Sequence, residues 1–173
     1  MARHRRGHSK VTAAPARVVL VAVALAVGFA VRDVATQGTE MVAIILPAAV
    51  GFAVTNVSVA TNGTPSSPRL QFSSGLLKTN RGLRASVKAD NDFVPPSGTA
   101  IPASRVSWTT SNAVNGVGSN GTLSKTVYTQ LFQANDNATS GRVDIAWQLA
   151  APGIPLRSGA HVLTLRWKLE SIH

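Results

Sequence analysis

Residues 142–173 read RVDIAWQLAAPGIPLRSGAHVLTLRWKLESIH, and the alternation inside that stretch decides the fold. Val143, Ile145, Trp147 and Leu149 are interleaved with Arg142, Asp144 and Gln148. Leu163, Leu165, Trp167 and Leu169 are interleaved with Thr164, Arg166 and Lys168. Successive side chains of a strand point to opposite faces, so each run predicts a strand with one apolar and one polar face. Each run carries a Trp-x-Leu triplet, Trp147–Leu149 and Trp167–Leu169, whose Trp and Leu share a face. The connection from Ala150 to Gly159 predicts a hairpin centred near Leu156 or Arg157, with Trp147 beside Trp167 on neighbouring strands. Each indole buries on the order of 200 Å², so the pair is expected to dominate a core.

The same period extends back along the chain. Leu83, Ala85, Val87 and Ala89 oppose Arg84, Ser86, Lys88 and Asp90, and Val106 and Trp108 repeat the pattern in SRVSWTT. The stretch TVYTQLFQA is apolar on both faces, as a central strand is. Turn clusters separate the runs: residues 61–68 (TNGTPSSP), 90–92 (DND), 95–98 (PPSG), Asn115–Gly116, Asn120–Gly121 and 135–137 (NDN). Gly and Asn accept positive φ there, and Pro fixes φ. About seven to nine short strands divided by turns predict an all-β fold, an Ig-like, Greek-key antiparallel sandwich. No internal repeat supports a solenoid or propeller.

The first 38 residues read as an address rather than as part of that sandwich, which is expected over residues 39–173. A cationic leader, MARHRRGHSKVTAAPAR, precedes the apolar run from Val18 to Val31. A charged segment followed by a short apolar one is the pattern of a secretory signal peptide, and the run is shorter than the roughly twenty residues of a membrane-crossing helix. Cleavage is expected at Gly28–Ala30 or at Thr36–Gly38; the alternative is an uncleaved hydrophobic anchor helix. Contact with a membrane is expected only through this leader. A second apolar run, Met41 to Val54, contains Pro47 and Gly51 and reads as two consecutive buried strands or one kinked strand.

Composition narrows the function classes. The chain carries seventeen Lys and Arg against seven Asp and Glu, a net charge of +10. Six of those cations (Arg3, Arg5, Arg6, Lys10, Arg17 and Arg32) lie in the leader, and the rest are scattered singly, as at Arg69, Lys88, Arg105 and Arg142. No basic run interleaved with aromatics appears, which argues against nucleic acid as a partner. There is no cysteine, so disulfides, thiolate zinc sites and cysteine nucleophiles are excluded. Charged residues are only 14% of the chain, and Ser, Thr, Asn and Gly take their place, as suits close packing between copies.

Catalytic inventory is thin, and no enzyme activity, metal or cofactor is expected. Asp90, Asn91 and Asp92 offer alternating oxygen ligands, but the glycine and closing glutamate of a calcium loop are missing, so an Asx-rich turn is the reading preferred. Asp136 between Asn135 and Asn137 reads the same way. His161 and His173 are the histidines that follow the leader, and no Gly-x-Ser-x-Gly elbow occurs. Four Asn-x-Ser/Thr triplets, at Asn56, Asn62, Asn120 and Asn137, are potential glycan acceptors.

The C-terminal segment 161–169 (HVLTLRWKL) resembles the distal motif of the WxL domain of bacterial surface proteins, with His161 where a tyrosine is usual. Residues 83–108 resemble the middle of such a domain, with Leu83 where a tryptophan is usual. The resemblance implies non-covalent attachment to cell-wall glycan or to another surface protein; Trp147, Leu149, Trp167 and Leu169 are the residues of the Trp-x-Leu motif, and both tryptophans are expected in the core.

Two functions are therefore expected for a secreted, non-enzymatic surface protein. The first is a subunit of an extracellular assembly such as a pilus, sheath or coat. In it, the apolar segment 41–60, through Val42, Ile44, Leu46, Val50, Phe52 and Val54, pairs as a strand with a neighbouring subunit; the sequence equally allows the segment to fold back into its own domain. The alternative is the WxL-like module attached to wall glycan or a partner protein.

Overall fold

A computed structural model describes residues 40–95, 98–156 and 159–173. The expectations for the leader, residues 1–38, lie outside the described residues. Among the described residues ten strands run in order: β1 (Met41–Ile45), β2 (Thr61–Asn62), β3 (Arg69–Leu76), β4 (Gly82–Ala89), β5 (Val106–Val114), β6 (Gly116–Gly118), β7 (Gly121–Thr122), β8 (Thr129–Ala134), β9 (Ser140–Leu149) and β10 (Leu165–Ile172). One 3-10 turn, Ala103–Arg105, precedes β5. The protein is all-β, and every strand pair is antiparallel. The strands β2, β6 and β7 are pieces of two or three residues, too short to show a period in the sequence.

The strands form two sheets. One has the order β1-β3-β9-β5-β7, with β2 also paired to β9; the other has the order β10-β4-β8-β6. From β3 to β10 each successive strand changes sheet. Almost every ladder is therefore closed between chain-distant segments, β3 with β9 and β4 with β10 for example.

The alternating residues meet between the sheets. Val143, Ile145, Trp147 and Leu149 of β9 are buried, as are Leu83, Ala85, Val87 and Ala89 of β4, with Leu70, Phe72, Val106, Trp108, Leu131 and Phe132. β8 buries both Leu131 and Phe132 because its pairing to β4 slips there: Ala85 faces Phe132 while Ser86 faces Gln130, leaving Leu131 as the extra residue of a bulge. TVYTQLFQA thus holds an inner strand, flanked by β4 and β6, as its two apolar faces predict.

The expected hairpin of Trp147 and Trp167 does not form. β9 already has β3 on one edge and β5 on the other, so no edge is left for β10. The connection after Leu149, with Pro152, Pro155 and Gly153 at φ 67°, instead carries the chain to the opposite sheet. Trp147 pairs in register with Trp108 of β5, ring centroids 5.4 Å apart and tilted by 53°. Trp167 faces Val87 across the β10–β4 ladder.

Two glycines expected as turn formers serve another purpose. At Asn115–Gly116 it is Asn115 that takes the positive φ, 53°. Gly121 lies opposite Trp108, and a Cβ there would stand 2.8 Å from the ring's Cη2 and 3.1 Å from Thr129 Cγ2. It is the missing side chain, rather than φ, that the ring requires. Gly141 is related to Phe72 in the same way, directly opposite in register and with a would-be Cβ 3.0 Å from the ring's Cζ.

Candidate assembly edge

An antiparallel sandwich that does not close into a barrel has edges, and unpaired edge groups invite another strand. At one side of this molecule β6 and β7 fold over from sheet to sheet, with Leu123 donating to Val106 O and Ser119 to Leu131 O. At the other side stand β1 and β10. Among the described residues no strand pairs with the outer edge of either. The two edges are tied at one end by Glu40, whose Oε1 accepts from the backbone N–H of Lys78 at 3.0 Å and from the Ser171 hydroxyl at 3.2 Å. The Lys78 amide first, then Ser171 and the nearby charges of Arg81 and Lys78, hold the Glu40 carboxyl below its usual range against a small desolvation cost.

The two edges are defended differently. β10 carries Arg166, Lys168 and Glu170 on its outward face, with Arg166 paired to Asp90 at 3.0 Å and Lys168 to Glu170 at 2.7 Å. A charged edge resists a second strand, because pairing would strip water from those groups. β1 reads MVAII and carries no charge. A register shift between Met41 and Val42 and the following Pro47 are its protections. Its outward residues Met41 and Ile45 are 60% and 64% exposed.

The apolar segment is a single kinked edge. Met41–Ile45 pairs with β3; the chain then bends at Pro47 and touches down again where Gly51 bridges Thr64, next to β2. Val42, Ile44, Leu46, Val50, Phe52 and Val54 all point inward and are half-buried, packed on the core, with Phe52 edge-on to Phe93 at 6.3 Å. They are half-buried rather than buried because an edge is covered on one side only. The inner face of the segment is thus used within its own domain. The outward residues Met41, Ala43, Ile45, Ala48, Ala49 and Ala53 are exposed and equally apolar. Alternating positions of 41–46 are apolar in both registers, so this second face was readable in the sequence.

The Trp-x-Leu residues are divided between environments. Trp147 and Leu149 are core, 4% and 2% exposed. Trp167 is half-buried on the edge strand, packed against the core rim. Leu169 is 37% exposed, because no described element lies beyond β10 to cover it.

The acidic turn spends its oxygens on the protein. Asp90 binds Arg166, Asp92 accepts from the Ala103 N–H at 2.8 Å and from Lys125 at 2.5 Å, and Asn91 accepts from the Thr164 N–H at 3.1 Å. The Lys125 contact first, then the Ala103 amide, lowers the Asp92 carboxyl below its usual range. Sequence reading missed Asp144, which faces outward on β9 yet is only 6% exposed. Arg69 closes over it with Nε at 2.6 Å and Nη2 at 3.2 Å, and Asn112 donates at 2.9 Å. Arg69 and then Asn112 lower its carboxyl below the usual range, against a desolvation penalty. This group braces β3, β9 and β5 on their solvent side.

Compared with known proteins, the chain matches no family model, no curated protein and no solved structure.

Proposed function

We propose that this chain is an exported, non-enzymatic structural protein of the cell surface, a subunit of an extracellular assembly built through the edge at residues 41–60. The observation that carries the reading is the contrast between the edges: β10 is charged, whereas β1 is uncharged and apolar on its outward face as well as its inward one. A neighbouring subunit's strand laid along β1 gains main-chain hydrogen bonds and covers Met41, Ala43 and Ile45 in one step. In architecture we place the domain with the Ig-like, Greek-key sandwiches. What supports this is that successive strands from β3 to β10 cross between the two sheets, as Greek-key connections do.

The test is solution assembly of the exported protein, read by light scattering across concentrations and by electron microscopy. Wild-type protein is expected to grow into oligomers or filaments. Ala43→Lys places a charge on the outward face of β1 and is expected to leave a monomer of unchanged melting temperature. A wild-type protein that stays monomeric at every concentration, with residues 41–60 resistant to protease, refutes the proposal.

One observation favours the WxL-like reading as a second. Trp167 and Leu169 stay accessible on an edge strand, where a wall glycan or partner protein can reach them. Retention on purified cell walls that is lost in Trp167→Ala supports that reading over assembly.

A further inference from the structure

Cations scattered along the sequence converge on the outer face of the sheet β10-β4-β8-β6. In the registers of that sheet Arg166 lies opposite Lys88, Lys168 opposite Ser86, and Glu170 opposite Arg84; Arg84 then faces Gln133, and Ser86 faces Gln130. Directly opposed residues share a face. Arg84, Lys88, Arg166, Lys168, Gln130 and Gln133 therefore share the side of the sheet turned away from the core. Tyr128, just before β8, joins them: the Lys88 and Lys168 ammonium groups stand 5.2 and 5.9 Å from the centre of its ring.

The charges on this face do not balance. Four cations stand against two carboxylates, Asp90 and Glu170, which are taken by Arg166 and Lys168. Among the described residues Arg84 and Lys88 have no ion-pair partner. Arg84 Nε is buried with no hydrogen-bond acceptor. Arg84 and Lys88 are four residue steps apart, about 13 Å along β4, with the two glutamine amides beside them on the next strand.

We propose that this face binds a linear acidic polysaccharide, with Lys88, Lys168 and Arg84 pairing its carboxylates and Gln130, Gln133 and the Tyr128 hydroxyl reaching its hydroxyl groups. Spaced cations beside neutral amides suit a chain of sugars with intermittent charge better than the dense charge of a nucleic acid. The surface lies on the sheet opposite β1, so the proposal stands whether or not the β1 edge assembles.

The experiment measures binding of the full chain to immobilised polygalacturonate, to neutral dextran and to double-stranded DNA, for wild type and for the double variant Arg84→Gln, Lys88→Gln. The six leader cations are common to both proteins, so only the difference between them is read. Wild type is expected to bind polygalacturonate, more weakly as salt rises, and dextran not at all. The double variant is expected to bind it about tenfold more weakly at low salt, with its melting temperature unchanged. Lys168→Gln, which alters a solvent-exposed side chain, serves as the second variant and is expected to weaken binding in the same direction. Absence of polygalacturonate binding, binding equal in all variants, or a loss in the variants that is as large for DNA overturns the proposal.

Discussion

Gly121→Ala adds one methyl group where the Trp108 indole lies across the neighbouring strand. The added Cβ would come within 2.8 Å of Cη2 and closer still to Cζ2, far inside van der Waals contact. The ring cannot swing clear. Its Nε1 donates to Ser119 O at 2.8 Å, Trp147 stands 5.4 Å away, centre to centre, and the residue is 1% exposed. Overpacking a tight core costs about 1–3 kcal/mol, and an anchored ring places this site near 3 kcal/mol. At about 2–4 °C per kcal/mol for a chain of this size, the melting temperature should fall by about 6–12 °C. Gly51→Ala is the control, since its added Cβ meets nothing nearer than Thr64 O at 3.9 Å. Urea denaturation followed by tryptophan fluorescence measures both. Trp108→Leu in the Gly121→Ala background should recover part of the loss relative to the sum of the single changes, because the clash disappears with the ring. If Gly121→Ala and Gly51→Ala agree within about 0.5 kcal/mol, the ring-over-glycine account is wrong.

The tryptophans should separate by environment: Trp147→Ala is expected to cost about 3–5 kcal/mol in denaturation and Trp167→Ala clearly less, while iodide quenches Trp167 first. Acid should weaken the fold through Asp144, Asp92 and Glu40, whose carboxyls are all held low. A depressed folded pKa gives stability that is full above the ordinary carboxylate range near pH ~4 and is lost as pH falls through the folded value. Melting temperature plotted against pH should therefore drop below about pH 4, and Asp144→Asn should flatten that drop.

Local chemistry explains why some features were legible and others were not. The period of two along 83–89 and 143–149 determined by itself which residues face the core, because side-chain alternation is a property of the strand alone. The absence of cysteine excluded disulfides. Positions 41–46 are apolar in both registers, so their pattern left open which face turns inward. Which strands lie side by side is not local. The short range between Trp147 and Trp167 suggested a hairpin, but β9 had both edges filled by strands far from it in the chain, β3 and β5, and β10 joined β4 instead. The tertiary structure alone made the Trp108–Trp147 pair, hid Asp144 beneath Arg69, and gathered Arg84, Lys88, Lys168 and Tyr128 onto one face. Each of those depends on pairing between segments distant in the chain, which chain entropy disfavours and which only the burial of the whole core can hold together.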